Sequence, residues 1–147
     1  YLSISFKKYK ERDKIKCLSL FDENCPKYFA ANEKIDYKSF LDKITDDYLV
    51  CDYAGKIAGA FGLFKLNSKE CRLHWILLSP KFQNIGIGSS IMLYCIELAL
   101  AQHTKVIHIA TSQVAFKFFE KYEAQVTKKT LNGFGPGMDK IDMMISL

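Results

Sequence analysis

The sequence has only three prolines in 147 residues, and no stretch rich in Pro, Gly or Ser that would separate two halves. No internal repeat or low-complexity segment appears either, so a repeat array and a tethered pair of domains are both excluded. A chain of this length buries one good core and is too short for two ordinary domains, so residues 1–147 are expected to form a single domain.

Cysteine is equally uninformative as a scaffold. The five cysteines, at 17, 25, 51, 71 and 95, are odd in number, never form a CxxC, and share no ligand spacing with His74, His103 and His108. Reduced core or half-buried thiols are expected, with no disulfide frame and no metal site.

Long apolar runs are missing too. The longest, "IMLYCIELALA", is about half a membrane span and carries Glu97. The opening "YLSISFKKYK" alternates and has no apolar core of the kind a secretory leader needs. A soluble cytoplasmic protein with no membrane partner is expected.

Nor is there a block of one charge sign. The net charge is +5, and the one tight basic run, "FKKYKERDK", is diluted by acidic residues. Such a balance attracts an anionic ligand mildly, and a solvated lysine-rich surface explains it better than nucleic-acid binding, which is not expected.

What is present is a mixed pattern of strands and helices. Leu2, Ile4 and Phe6 alternate with polar residues as in a strand with one buried face, and Ile15, Leu18 and Leu20 suggest a helix from Glu11 to Phe21. "ENCP" breaks it, and "YKSFLDKI" reads as a second helix with Asp36 as its N-cap. "YLVCDYAGKIAGAFGLFKL" is a hairpin turning at "YAGK", followed by "CRLHWILLS", whose run Trp75 to Leu78 suggests a strand buried on both faces. A helix from Gly88 to Gln102, apolar almost all round, leads to the strand "KVIHIA", which makes a parallel crossover unit. Ser112 is placed to cap a fourth helix carrying Val114, Ala115, Phe118, Phe119 and Tyr122, and the chain closes with a hairpin around the wide turn "NGFGPG". The order is β-α-α-β-β-β-α-β-α-β-β, an α/β (α+β) fold with a mostly antiparallel sheet of six to seven strands and about four helices.

The seam between the central strand and the long helix is "SPKFQNIGIGSS". Glycines there let a backbone approach a ligand, and the unpaired amides and positive dipole end of the following helix favour an anion such as phosphate. The spacing is neither a Walker loop nor GxGxxG, and a tight packing turn needs glycine as well.

Gln83-Asn84-Ile85-Gly86-Ile87-Gly88, following a buried strand that ends in Ser79-Pro80, resembles the Q/R-x-x-G-x-G/A signature of the GNAT superfamily of N-acetyltransferases. "LHWILLSP" resembles that family's pantetheine-binding strand, and "TSQVAFKFFEKYEAQ" its penultimate helix, so the resemblance spans most of the chain. It implies acetyl-CoA as acetyl donor, direct attack of an amine on the thioester, and a small-molecule or peptide amine as acceptor. It also implies that the loop from Gln83 through Ser89 holds the pyrophosphate, that main-chain groups of Ile76, Leu77 and Leu78 hold pantetheine and polarise the carbonyl, and that Ser112 and Phe119 touch the cofactor arm. Replacing Gly86 or Gly88 by a bulkier residue is then expected to weaken acetyl-CoA binding with the fold largely intact.

One departure matters. The tyrosine that commonly protonates the thiolate falls at Phe119, which has no proton to give. The acid is then dispensable, because a thiolate with pKa near 8 to 9 is a fair leaving group. Otherwise Tyr122 or Tyr94 supplies it, or the chain binds acyl-CoA without turning it over. For the base, His74 on the central strand suits proton transfer at neutral pH, ahead of His108, although a lone strand histidine is more often structural. Tyr28, Phe29 and Asp139 are candidates for the acceptor wall, with core packing and self-capping as the plainer explanations. Monomer and homodimer both remain open; the apolar final strand "IDMMISL" offers a surface for pairing.

Overall fold

The computed structural model describes residues 4–43, 47–82 and 85–147. Leu2, Gln83 and Asn84 lie outside the described residues. The elements are β1 (Ile4–Lys8), α1 (Lys14–Asn24), α2 (Glu33–Lys43), β2 (Tyr48–Tyr53), β3 (Lys56–Lys65), β4 (Glu70–Leu78), α3 (Ile87–Ala101), β5 (Val106–Thr111), α4 (Phe116–Glu120), β6 (Gln125–Gly135) and β7 (Met138–Ser146), in the expected order. All seven strands form one sheet in the order β1-β2-β3-β4-β5-β7-β6. Every pairing is antiparallel except β4 with β5, the two strands joined through α3.

Local chemistry explains the turns. Ala54 and Gly55 both take positive φ, 52° and 84°, and Asp52 Oδ1 accepts the Gly55 N–H at 2.9 Å, which closes the two-residue hairpin between β2 and β3. Between β3 and β4, Asn67 Oδ1 accepts from the amides of Lys69 and Glu70 at 2.9 and 3.0 Å.

Four expectations are corrected. The buried stripe of α1 is Cys17, Leu20, Phe21 and Asn24, whereas Ile15 is exposed, because helical spacing from Cys17 outweighs the bulk of Ile15. Asp36 is not a cap: α2 begins at Glu33, and Asp36 lies inside its first turn. Ser112 precedes a turn rather than a long helix, since α4 starts only at Phe116. The last hairpin has no wide loop, because β6 pairs as far as Gly135 and turns on Pro136 and Gly137, with a register shift between Thr130 and Gly135.

The sheet is covered on both sides. On one side α3 sets Ile91, Met92, Cys95 and Ala99 against Phe61, Leu73, Ile107, Ile109 and Met143. On the other, α1 and α2 set Leu20, Phe21, Tyr37 and Leu41 against Tyr48, Val50, Ala60 and Leu77. β7 is apolar because it is interior, paired with β5 on one edge and β6 on the other, so its backbone is not available to a second chain. All five cysteines are free thiols. Among the described residues no helix is long and apolar enough to cross a membrane.

Candidate active site

The site begins where two strands part. β4 and β5 pair from Glu70↔Val106 to Leu73↔Ile109 and no further, so the second half of β4 has no partner on that edge. Its other edge carries a bulge: Ala60 pairs with Leu77 and Gly62 with His74, which leaves Trp75 and Ile76 opposite Phe61. Trp75 takes φ +45°, a left-handed value that a bulky residue holds only when its surroundings impose it. The Ser79 N–H points back to Ala58 O at 2.8 Å, so strand alternation turns the main-chain groups of Leu78 and Ile76 toward the parted edge. Asn24 takes the Leu78 carbonyl at 3.0 Å and that of Leu20 at 2.7 Å, tying the end of α1 to the end of β4.

A cavity of about 450 Å³ fills the gap. β4 forms its floor, residues 110–119 one wall, and the segment between α1 and α2 the other, with Phe134 and Lys140 closing the end. The closing contact is made by Asn32, whose Nδ2 donates to Phe134 O at 2.9 Å.

Of the residues expected at a site, His74, Ile76, Leu78, Ser112, Phe119, Tyr28 and Phe29 all line this cavity. Leu77 does not; its side chain is buried under α1 and α2. Ile85, Gly86, Ile87, Gly88 and Ser89 lie at the start of α3, outside the cavity lining. Gly86 holds φ +82° as the N-cap, no side chain caps the helix, and its first turn has no acidic residue, so the positive end of a fifteen-residue helix faces no protein anion from its own first turn. Gly88 has a packing reason to be glycine: a Cβ there meets the Phe118 ring at 3.0 Å and Leu78 at 3.2 Å.

Four other candidates are engaged elsewhere. The Tyr122 hydroxyl donates to Ser89 Oγ at 2.8 Å, at the first turn of α3 rather than in the cavity. Asp139 accepts the Asn132 N–H through Oδ1 at 2.9 Å, and its own N–H donates to Gln113 Oε1 at 2.9 Å, which pins the last hairpin to the turn after β5. Tyr94 packs on the far side of the sheet against Phe6 and Phe61. His108 sits 2.6 Å from Glu70 Oε1 at the paired end of β5.

Burial, then the neighbouring Arg72 guanidinium, push the His74 imidazole below its ordinary pKa, so the ring is neutral at neutral pH. It packs edge-on to Phe64 at 5.2 Å.

Glu33 was not foreseen. Its side chain lines the cavity although the residue is only 6% exposed, and burial raises its carboxyl pKa to about 7. Oε2 accepts the Ala30 N–H at 2.8 Å, the half of a capping box in which a glutamate reaches back three residues. That spacing was the available signal, but Ala30 is not a capping residue and nothing local separates Glu33 from an ordinary helix-surface glutamate. Arg72 and Lys140, also on the cavity wall, were missed for the same reason.

The comparisons agree with this geometry. The Acetyltransferase (GNAT) family model matches residues 17–123. Similar solved structures include Ard1 from Thermoplasma volcanium, with 15% identity, TM-score 0.82, and coverage of 99% of this chain and 98% of that one. A GNAT family acetyltransferase from Elizabethkingia anophelis with acetyl-CoA bound has 19% identity, TM-score 0.74 and coverage of 98% of each chain. A GCN5-related N-acetyltransferase from Kribbella flavida has 14% identity, TM-score 0.77, and coverage of 99% of this chain and 98% of that one. No curated protein sequence matches. With the family model spanning well over half of its length, from α1 through α4, the chain belongs to the GNAT family of acetyltransferases.

Proposed function

We propose that this chain is a single-domain N-acetyltransferase that moves an acetyl group from acetyl-CoA to an amine by direct attack. The observation that carries the reading is the parted edge of β4, where main-chain groups of Ile76 and Leu78 turn into a cavity instead of into a neighbouring strand.

The residues fit the donor. The Ile76 and Leu78 N–H groups hold an amide-rich arm, and the uncapped start of α3, from Gly86 through Ser89, receives phosphate, with Gln83 and Asn84 preceding it in the sequence. Bound acetyl-CoA supplies an activated acyl group with a thiolate leaving group. Ser112 and Phe119 flank the arm from the opposite wall.

Glu33 takes the proton from the incoming amine, because it is buried and poised near neutrality with Oε2 held by Ala30. His74, neutral at the same pH, is the second acceptor, on the floor of the cavity. Tyr28 and Phe29 form the acceptor wall. The buried thiols are not nucleophiles, since burial pushes Cys17 and Cys95 up to about 12, which favours direct attack over an acyl-cysteine route. The cavity is built from one chain, so a monomer suffices and a homodimer is compatible. Reduced thiols suit a cytoplasmic location.

A second reading, acyl-CoA binding without turnover, is favoured by Phe119 where an acid commonly stands and by Tyr122 being held at Ser89. Thermal unfolding with acetyl-CoA, CoA and ATP, followed by thiol release in the presence of an amine panel, separates the two. At about 100 times its dissociation constant a ligand stabilises by about 2.7 kcal/mol. A shift with acetyl-CoA and CoA but not ATP, together with amine-dependent thiol release, supports the enzyme; a shift without release supports the binding reading; no shift removes both.

A further inference from the structure

Arg72 and Lys140 are half-buried cations on the cavity wall. Elsewhere on the surface Lys7, Lys14, Lys34 and Lys81 each meet a carboxylate. Among the described residues, neither Arg72 nor Lys140 has a carboxylate within 4 Å, and the one carboxylate lining the cavity, Glu33, pairs with neither. A cation half-removed from water without a partner is costly to hold, and a ligand anion removes that cost.

The donor's phosphates do not account for Arg72. Arg72 precedes Leu78 by six residues, roughly 20 Å along an extended strand and away from the start of α3. Arg72 also lies beside His74, on the acceptor half of the floor, where its guanidinium lowers the imidazole pKa. Apart from these charged groups the lining is largely apolar, with Phe29, Trp75 and Phe134 on it.

Resting on the acetyltransferase reading above, we propose that the acceptor is a free amino acid with an apolar side chain, its carboxylate held by Arg72 and Lys140 and its amine presented to Glu33. The guanidinium offers paired N–H donors that match a carboxylate, and the lysine adds a point charge. The lone pair of the neutral amine nitrogen then attacks the thioester carbonyl, the C–N bond forms as the C–S bond breaks and the thiolate leaves, and the N–H proton passes to the Glu33 carboxylate.

The test compares kcat/KM for L-phenylalanine, L-leucine and L-methionine with that for the corresponding amides and decarboxylated amines, using wild type, Arg72→Gln and Lys140→Gln. Free acids are expected to exceed their amides at least tenfold. Each variant should lower the acid-to-amide ratio at least fivefold, and melting with and without acetyl-CoA confirms that both variants are folded. Transfer to amides and simple amines in preference to the acids overturns the inference and leaves acetyl transfer standing. A ratio unchanged in both variants, or an equal rise in KM for acetyl-CoA, also overturns it by removing the cations from the acceptor. Transfer to no member of the panel overturns it as well, and a retained acetyl-CoA shift then leaves the donor site in place.

Discussion

The phenol of Tyr48 donates a 2.7 Å hydrogen bond to the carbonyl of Trp75, a residue 27 positions along the chain and held at φ +45°. Tyr48 has one proton and spends it there, so Tyr37, 2.8 Å away, donates to Tyr48 in turn. Both phenols are fully buried, and burial pushes each far above its ordinary pKa, so the relay stays neutral. The bulge that opens the acetyl-transfer cavity is thus stabilised from beneath by the core.

Tyr48→Phe removes the donor to the strained carbonyl while keeping the ring. The expected loss is about 1–3 kcal/mol of stability, from leaving buried polar groups unpaired. The more telling expectation is a fall in kcat larger than any rise in acceptor KM, because the Ile76 amide loses its orientation. A pure drop in melting temperature with unchanged kinetics at low temperature contradicts the positioning role.

Glu33→Gln tests the proton acceptor. The carboxyl pKa of about 7 lies above its unfolded value, so between roughly pH 4.5 and 7 the folded state keeps a proton that the unfolded state has lost. Stability contributed by this group is therefore full below that window and falls as pH rises through it. The variant should flatten that part of the stability curve, and it should abolish a rising limb of kcat near pH 7. If the limb persists and disappears instead in His74→Gln, the imidazole is the base.

Gly88→Val should destabilise the protein by about 1–3 kcal/mol even without ligand, because its side chain drives into the Phe118 ring and Leu78. Sequence alone led to the expectation of an intact fold. Calorimetry of the unliganded variant decides: no loss of stability means the first turn of α3 repacks freely.

Tyr122→Phe cuts the tie to Ser89. KM for acetyl-CoA is expected to rise severalfold with kcat little changed, since the hydroxyl supports the start of α3 rather than the leaving thiolate. A fall in kcat of a hundredfold or more, at unchanged KM, would instead restore Tyr122 as the acid.

Element order, the central strand, the parallel crossover and the family were legible because each is written in contiguous residues: alternation in β1, the "YAGK" turn, the apolar run of α3, and Gln83 through Gly88. Half of the cavity was legible for the same reason, since His74, Ile76 and Leu78 sit on the strand that the motif follows. Tertiary structure alone decided the rest. Whether Trp75 to Leu78 would be buried on both faces or open onto a cavity depended on β5 ending its pairing at Ile109, a fact of register between strands more than thirty residues apart. Glu33, Arg72 and Lys140 come from α2, β4 and β7, and meet around one cavity only when the segment after α1 folds against the last hairpin. Periodicity records which face a residue shows to its own neighbours. The charge a site presents, and the desolvation that tunes it, arise from what distant segments bring to the same place.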